Sequence, residues 1–346
     1  TLYSYKTFTN WVDENEDPEY VHRLPFQRFW QRMANKFLYH LVVKLGVFSP
    51  WYFGPLLRFS QQDEDIIAEC DSILAVGMPT SSILYGYHYA RRYNKPLVIL
   101  SAYHPVRYYQ NVPVFRQALK YARSVICLSQ YEKINLQTAY PFDHQKIHTV
   151  VYSPFSAGQL KKMSRHVQER LQRRQTKPLT LGYVGQITLR KNLAVFVPII
   201  EALAKNKQKI RVLFAGQKTN SSPEVERIFA HLPQVEIRYN FSEPDKAQLY
   251  KEIDIFIHPS IEESFGIASL EAMYYGCLVL TRFSLVDNQN VPLVFHSAQE
   301  LVDLIQTKFL GTQAAVHWSE QLQAQEHVLH DIRQEVFREK IAQLLA

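Results

Sequence analysis

The feature that most limits what this chain can fold into is a repeated alternation of short apolar runs with stretches of helical spacing. Ser72 to Gly77, Leu97 to Ala102 and Ser124 to Ser129 read as strands, separated by helical stretches near Ser82 to Tyr93, Val112 to Ala122 and Tyr131 to Ala139. A second series follows: Leu179 to Val184, Ile210 to Gly216, Val235 to Tyr239, Ile253 to His258 and Leu278 to Arg282. Val195, Ile199, Ile200 and Leu203 recur at helical spacing after Asn192, which suits an N-cap. Such alternation predicts parallel βαβ units and therefore an α/β fold. Two series predict two doubly wound Rossmann-like domains facing a central cleft, onto which both switch-point crevices open.

The 346 residues suffice for two cores, and the 47% apolar content excludes a disordered chain. The expected division is an N-terminal domain over 1–155, a linker over 156–178, a C-terminal domain over 179–318 and a helix over 319–346 that crosses back to the first domain. The linker carries Gly158 and a basic run, Lys161, Lys162, Arg165, Arg170, Arg173 and Arg174, read as an exposed approach to the second domain. No glycine precedes Gly46, whereas a doubly wound domain normally opens with a strand and a glycine-bearing turn. The first strand of the N-terminal domain is therefore expected to be missing from this chain.

Charge is unevenly spread. No Asp or Glu occurs from Tyr20 to Gln62 or from Ser72 to Tyr131, while arginines and lysines recur through both stretches. That positive field attracts phosphate groups or an anionic surface. Between Tyr20 and Gln62 the bases are interleaved with Phe26, Phe29, Trp30, Phe37, Tyr39, Trp51, Tyr52 and Phe53, a mixture that suits a bilayer surface and equally suits helices packing on their own domain. No zinc-finger or arginine-glycine pattern points to nucleic acid. No apolar run approaches the roughly 20 residues of a membrane span. Cys70, Cys127 and Cys277 lack metal-ligand spacing and read as reduced thiols of a cytoplasmic protein.

Glu263 and Glu271, with seven residues between them, place one carboxylate in a strand-to-helix turn and the other about a turn and a half into the following helix. Both can face one ligand at the helix N-terminus, where free N–H groups and the helix dipole favour an anion. A nucleotide-sugar fits, with phosphate over the amides, ribose near Glu271 and sugar hydroxyls near Glu263. Asp63-Glu64-Asp65 lies just before a helix and reads as a capping cluster, not a metal triplet.

Gly182-Tyr183-Val184-Gly185-Gln186 with Arg190-Lys191-Asn192, Gly216 after its strand, and Ile253 to Ser260 running into the Glu263 to Glu271 segment and Ala272-Met273 together resemble the family-4 retaining glycosyltransferases of the GT-B fold. The resemblance covers about residues 179 to 282 well and Ser72 to Tyr152 more loosely. It implies that Lys191 meets the donor diphosphate, in a loop shared with Gly185, Gln186 and Arg190. It also implies that Glu263 accepts hydrogen bonds from sugar hydroxyls, that the amides of Phe265, Gly266 and Ile267 approach sugar and phosphate, and that Glu271 holds the ribose. Asn240 and Phe241 fall where the family holds the base, and His104 falls near its sugar-facing histidine. The family's usual arginine is Gln186 here, and its usual glycines are Asn192 and Tyr239.

The resulting expectation is a retaining, metal-independent glycosyltransferase with no cofactor beyond its nucleotide-sugar, UDP-hexose favoured, and no metal site. The acceptor would be a glycan or lipid-linked hydroxyl in polysaccharide or glycoconjugate biosynthesis, and the location cytoplasmic, at the inner face of an anionic membrane. Gln186 keeps open a non-catalytic nucleotide-binding partner subunit. An oxidoreductase is disfavoured because no G-x-G-x-x-G follows a strand. A glycoside hydrolase would need both carboxylates flanking a scissile bond.

Overall fold

The computed structural model describes residues 2–4, 21–23, 59–103, 112–174, 177–261, 263, 265–285 and 291–346. The chain divides into two compact units, one of Thr1–Cys127, Lys133–His148 and Ala342–Ala346, the other of Leu128–Glu132 and Thr149–Ile341. The His104 assignment and most of the basic aromatic stretch between Tyr20 and Gln62 lie outside the described residues.

The N-terminal series runs α1 (Gln61–Glu69), β1 (Ile73–Val76), α2 (Ser81–Arg92), β2 (Leu97–Leu100), α3 (Pro113–Tyr121), β3 (Ser124–Cys127), α4 (Gln130–Ala139) and β4 (Ile147–Thr149). The strands lie in the order β1-β2-β3-β4, with β1, β2 and β3 paired in parallel. β2 and β3 are buried at every position, as parallel strands covered on both faces must be, so they read as unbroken apolar runs. Ile83, Leu84 and Ala90 of α2 and Phe115, Ala118 and Leu119 of α3 join them in one core. Ser60 and Asp63 form a capping box at α1, and Glu64 pairs with Arg92 at 3.0 Å, so the acidic triplet serves the helix and the surface. Leu2–Ser4 and Val21–Arg23 form a separate two-stranded parallel sheet.

The second unit contains α5 (Ala157–Leu160), α6 (Met163–Arg174), β5 (Leu179–Val184), α7 (Phe196–Lys205), β6 (Ile210–Gly216), α8 (Ser222–Phe229), β7 (Val235–Tyr239), α9 (Glu243–Glu252), β8 (Ile255–His258), α10 (Ile267–Tyr274), β9 (Leu278–Thr281), β10 (Leu293–Val294), α11 (Ala298–Leu304), α12 (Ala314–Asp331) and α13 (Gln334–Leu345) as far as Ile341. Its six strands are parallel, in the order β10-β9-β8-β5-β6-β7. The chain winds from β5 to one edge, then returns beside β5 as β8 and winds to the other. The carboxyl ends of β5 and β8 therefore flank the topological switch point, where ligands bind in sheets of this kind. On α7 the buried face is Phe196, Ile199, Ile200 and Leu203, one position off the expected stripe at its start.

Residues 156–178, expected as a linker with an exposed basic approach, contain α5 and α6, and Arg170 on α6 is only 3% exposed. Its guanidinium pairs with buried Asp254 at 3.1 Å. It also donates to the carbonyls of Tyr250 (2.8 Å) and Lys251 (3.0 Å) at the end of α9, and to those of Tyr275 (3.4 Å) and Gly276 (3.2 Å) after α10. Helix ends leave carbonyls unpaired, and a planar cation with five donors satisfies both ends at once. The single helix expected near the C-terminus is two, α12 and α13, with Ile332 capping the first. Among the described residues no helix is long and apolar enough to cross a membrane.

Candidate functional site

After β5 the chain leaves through Gly185 into a short 3₁₀ turn, Leu189–Lys191, and Asn192 follows with φ 55°. Asn tolerates this left-handed conformation better than most residues, so it can stand where a glycine is usual. Its amide Nδ2 also donates to the Pro259 carbonyl at 3.4 Å, tying the loop after β5 to the loop after β8. Asn192 thus acts through its backbone and this tie, and makes no side-chain cap. Across the switch point the Lys191 Nζ lies 2.7 Å from Glu263 Oε2, with the two side chains 15% and 10% exposed.

Glu263 has a second partner. His258, the last residue of β8, is buried, and its Nε2 sits 3.2 Å from Glu263 Oε2 while its Nδ1 is 2.7 Å from Ser269 Oγ. Burial pushes the imidazole pKa below its ordinary value, so the ring is neutral. The hydrogen bonds then assign the proton to Nε2, facing the carboxylate, with Nδ1 accepting from the Ser269 hydroxyl. Burial by itself opposes ionisation of Glu263, but the His258 and Lys191 donors outweigh it and hold the carboxyl well below the usual range.

Gly266 precedes α10 with φ 79°, and a Cβ there would stand 2.6 Å from Phe283 Cζ and 3.1 Å from His258 Cε1. Glycine is required both by the turn and by the packing beneath it. In the first turn of α10 the Ser269 N–H donates to the Gly266 carbonyl at 2.9 Å, so by helix geometry it is the N–H groups of Ile267 and Ala268 that lack an intrahelical acceptor and suit an anion beside Glu263. Glu271, in the second turn, is held by two residues of α9: Lys246 Nζ at 2.6 Å from Oε1 and the Tyr250 hydroxyl at 2.7 Å from Oε2.

The remaining expected residues fall into two groups. Gly185, Gly216 and Asn240 meet at the adjacent ends of β5, β6 and β7. Gly185 N donates to Ala215 O at 2.9 Å, Asn240 N donates to Gly216 O at 3.3 Å, and a Cβ on Gly216 would lie 1.6 Å from the Gly185 carbonyl oxygen. Phe241 follows, half-buried. Gln186 and Arg190 are exposed on the same loop as Lys191. Phe265 and Gly266 are buried and Ile267 is half-buried. Thr188 Oγ1 and Ser260 Oγ, in the two switch-point loops, are buried and have no hydrogen-bond partner among the described residues. Among those residues no group of three His, Cys, Asp or Glu side chains could hold a metal ion.

His258, Ser269, Lys246 and Tyr250 were not legible as site residues. His258 closes an apolar strand and resembles a core histidine. Lys246 and Tyr250 are four apart on a helix, which puts them on one face but does not say what that face meets.

This architecture is the GT-B fold of glycosyltransferases. Residues 165–284 match the family described as glycosyl transferases group 1. A glycogen synthase of Marinomonas sp. (strain MWYL1) is 30% identical over 101 residues, which are 29% of this chain and 21% of that enzyme. The chain thus aligns with about a fifth of that relative's length. Among solved structures, Anabaena Alr3699/HepE in complex with UDP and glucose superposes with a TM-score of 0.61 at 17% identity, covering 82% of this chain and 80% of that one. A glycosyltransferase from Rickettsia africae ESF-5 gives 0.58 at 18% identity, over 96% and 83% of the two chains. Sucrose-phosphate synthase from Thermosynechococcus elongatus gives 0.56 at 16% identity, over 86% and 84%.

Proposed function

We propose that this protein is a retaining, metal-independent glycosyltransferase that moves a hexose from a nucleoside diphosphate, UDP favoured, to a hydroxyl of a glycan or lipid-linked acceptor. The observation that carries this reading is the meeting of Lys191 and Glu263, 72 residues apart in the chain, at 2.7 Å beside the start of α10 at the switch point. One cation, one carboxylate and a helix N-terminus converge where a pyrophosphate and its sugar would lie. The bound ligands of Alr3699/HepE, UDP and glucose, accord with that donor class.

In this mechanism Lys191 and the first amides of α10 face the diphosphate. They stabilise the charge that grows on the leaving phosphate more strongly in the transition state than before it. Glu263, kept ionised by His258 and Lys191, accepts hydrogen bonds from the sugar hydroxyls and fixes the ring. Glu271 accepts from the ribose, and the strand ends at Gly216 and Asn240 lie near the base. The anomeric carbon loses its phosphate and gains the acceptor oxygen on the same face, and the departing phosphate oxygen takes the acceptor's proton. The configuration is thereby retained, and the cation and amides do the work that a divalent ion does in other transferases.

Thermal stabilisation by a panel of UDP-, ADP- and GDP-sugars identifies the donor, because binding to the folded state raises its melting point. Lys191→Ala and Glu263→Ala are each expected to lower turnover at least about a hundredfold, about 2.7 kcal/mol of lost transition-state stabilisation, while the fold survives. Near-native turnover in both variants refutes the assignment. Donor binding with no transfer to any acceptor, and no donor hydrolysis, would favour a nucleotide-binding partner subunit, a reading that the uncharged Gln186 supports.

A further inference from the structure

Glu271 is gripped in a way that its proposed contact with a ribose does not by itself require. Its two carboxylate oxygens are each taken by one donor from α9: Oε1 by the Lys246 ammonium at 2.6 Å and Oε2 by the Tyr250 hydroxyl at 2.7 Å. Tyr250 is fully buried, stacked on Tyr275 at 5.6 Å and tilted against Phe256 at 5.9 Å, so its hydroxyl position is set by the core. Burial and the adjacent carboxylate push its phenol far above the ordinary value, which makes it a permanent donor. Lys246 and Glu271 are 24% and 18% exposed, so this end of the clamp reaches the surface of the crevice.

A carboxylate offers about four lone-pair sites on its two oxygens. With one donor already on each oxygen, one site per oxygen remains, and the plane of the group is fixed by a buried ring and a cation. Two acceptors held side by side match two neighbouring hydroxyls. We infer that Lys246 and Tyr250 are positioning residues which aim Glu271 at the vicinal 2′,3′-diol of the donor ribose, so that the site selects ribonucleotide over deoxyribonucleotide donors. The inference rests on the donor reading above and extends it to a specificity device outside the Glu263 to Glu271 segment.

The test measures calorimetric Kd values of the full chain for UDP and 2′-deoxy-UDP, and for ADP and 2′-deoxy-ADP. The wild-type protein is expected to bind the ribonucleotide about ten- to a hundredfold more tightly, as the loss of one hydrogen bond to a charged group dictates. In Tyr250→Phe and Lys246→Met the ribonucleotide weakens while its deoxy counterpart barely changes, so the ratio falls to about threefold or less. Lys246→Arg, which restores a cation, recovers a good part of the ratio. Lys246 lies at the surface, so its variants fold even if Tyr250→Phe does not. Equal weakening of both ligands in Lys246→Met, leaving the ratio unmoved, overturns the inference, because a purely structural role acts on both alike. A wild-type protein that binds UDP and 2′-deoxy-UDP equally overturns the inference and leaves the donor reading standing. One that binds none of the four nucleotides, nor GDP, overturns the donor reading itself.

Discussion

The cation assigned to the diphosphate rests on the carboxylate assigned to the sugar. Glu263→Gln should therefore move two quantities in opposite directions. At 2.7 Å and an effective dielectric constant of about 20, the Coulomb attraction within the Lys191–Glu263 pair is about 6 kcal/mol as an upper bound. Desolvation of two largely buried groups consumes most of that, leaving about 1–2 kcal/mol by which Glu263 competes with a phosphate for Lys191. Glutamine keeps the shape and removes the charge. UDP without a sugar should then bind about five- to thirtyfold more tightly. Turnover of the UDP-sugar should fall about ten- to a hundredfold, because the hydroxyls lose their ionised acceptor. Calorimetry with UDP and a coupled assay of UDP release read the two quantities separately. If Glu263→Gln weakens UDP binding by the same factor as it slows turnover, the pair is a structural clamp and the reasoning fails.

Arg170→Met should destabilise the protein by about 3 kcal/mol in chemical denaturation, since it leaves the buried Asp254 carboxylate with only the more distant Arg173 at 3.5 Å and the Thr180 N–H at 2.8 Å, and adding Asp254→Asn should recover part of the loss. Gly266→Ala should cost at least about 1–2 kcal/mol for the left-handed backbone alone, with a lower melting temperature as the readout. Folding lowers the pKa of Glu263 below its ordinary 4.5 and that of His258 below its ordinary 6.5. Both groups therefore bind more protons when unfolded, and their stabilisation is complete above those values and lost as the pH falls. Denaturation midpoints should decline from about pH 6.5 downward, and less steeply in Glu263→Gln; an unchanged acid limb in that variant would contradict the sign.

The central strands β5 and β6 were legible because a parallel strand covered on both faces is a largely apolar run, and both begin and end where such runs do, while β7, Val-Glu-Ile-Arg-Tyr at the sheet edge, is half-buried throughout and alternates instead. The start of β8 is displaced by two residues: Ile253 caps α9, and Asp254 is an ion-pair partner of Arg170 inside the core. β4 and β10, of three and two residues, are too short to carry a pattern. Lys191 and Glu263 were recognisable from their local surroundings, yet their contact, made across the sheet's reversal, was not. The hold on Glu271 was hidden for a plainer reason: a lysine and a tyrosine one turn apart on a polar helix look like any solvated face, and only the packing of α9 on the sheet turns that face inward.

The guanidinium of Arg170 has a practical consequence for anyone recombining proteins of this architecture. It fastens the ends of the helix that bears Lys246 and Tyr250 and of the helix that bears Glu271. A chimaera grafting residues 179–318 alone would import Asp254 and four helix-end carbonyls while leaving their shared donor in the discarded stretch. Crossover points for exchanging donor preference therefore belong ahead of Ser156, so that α6 travels with the sheet it secures.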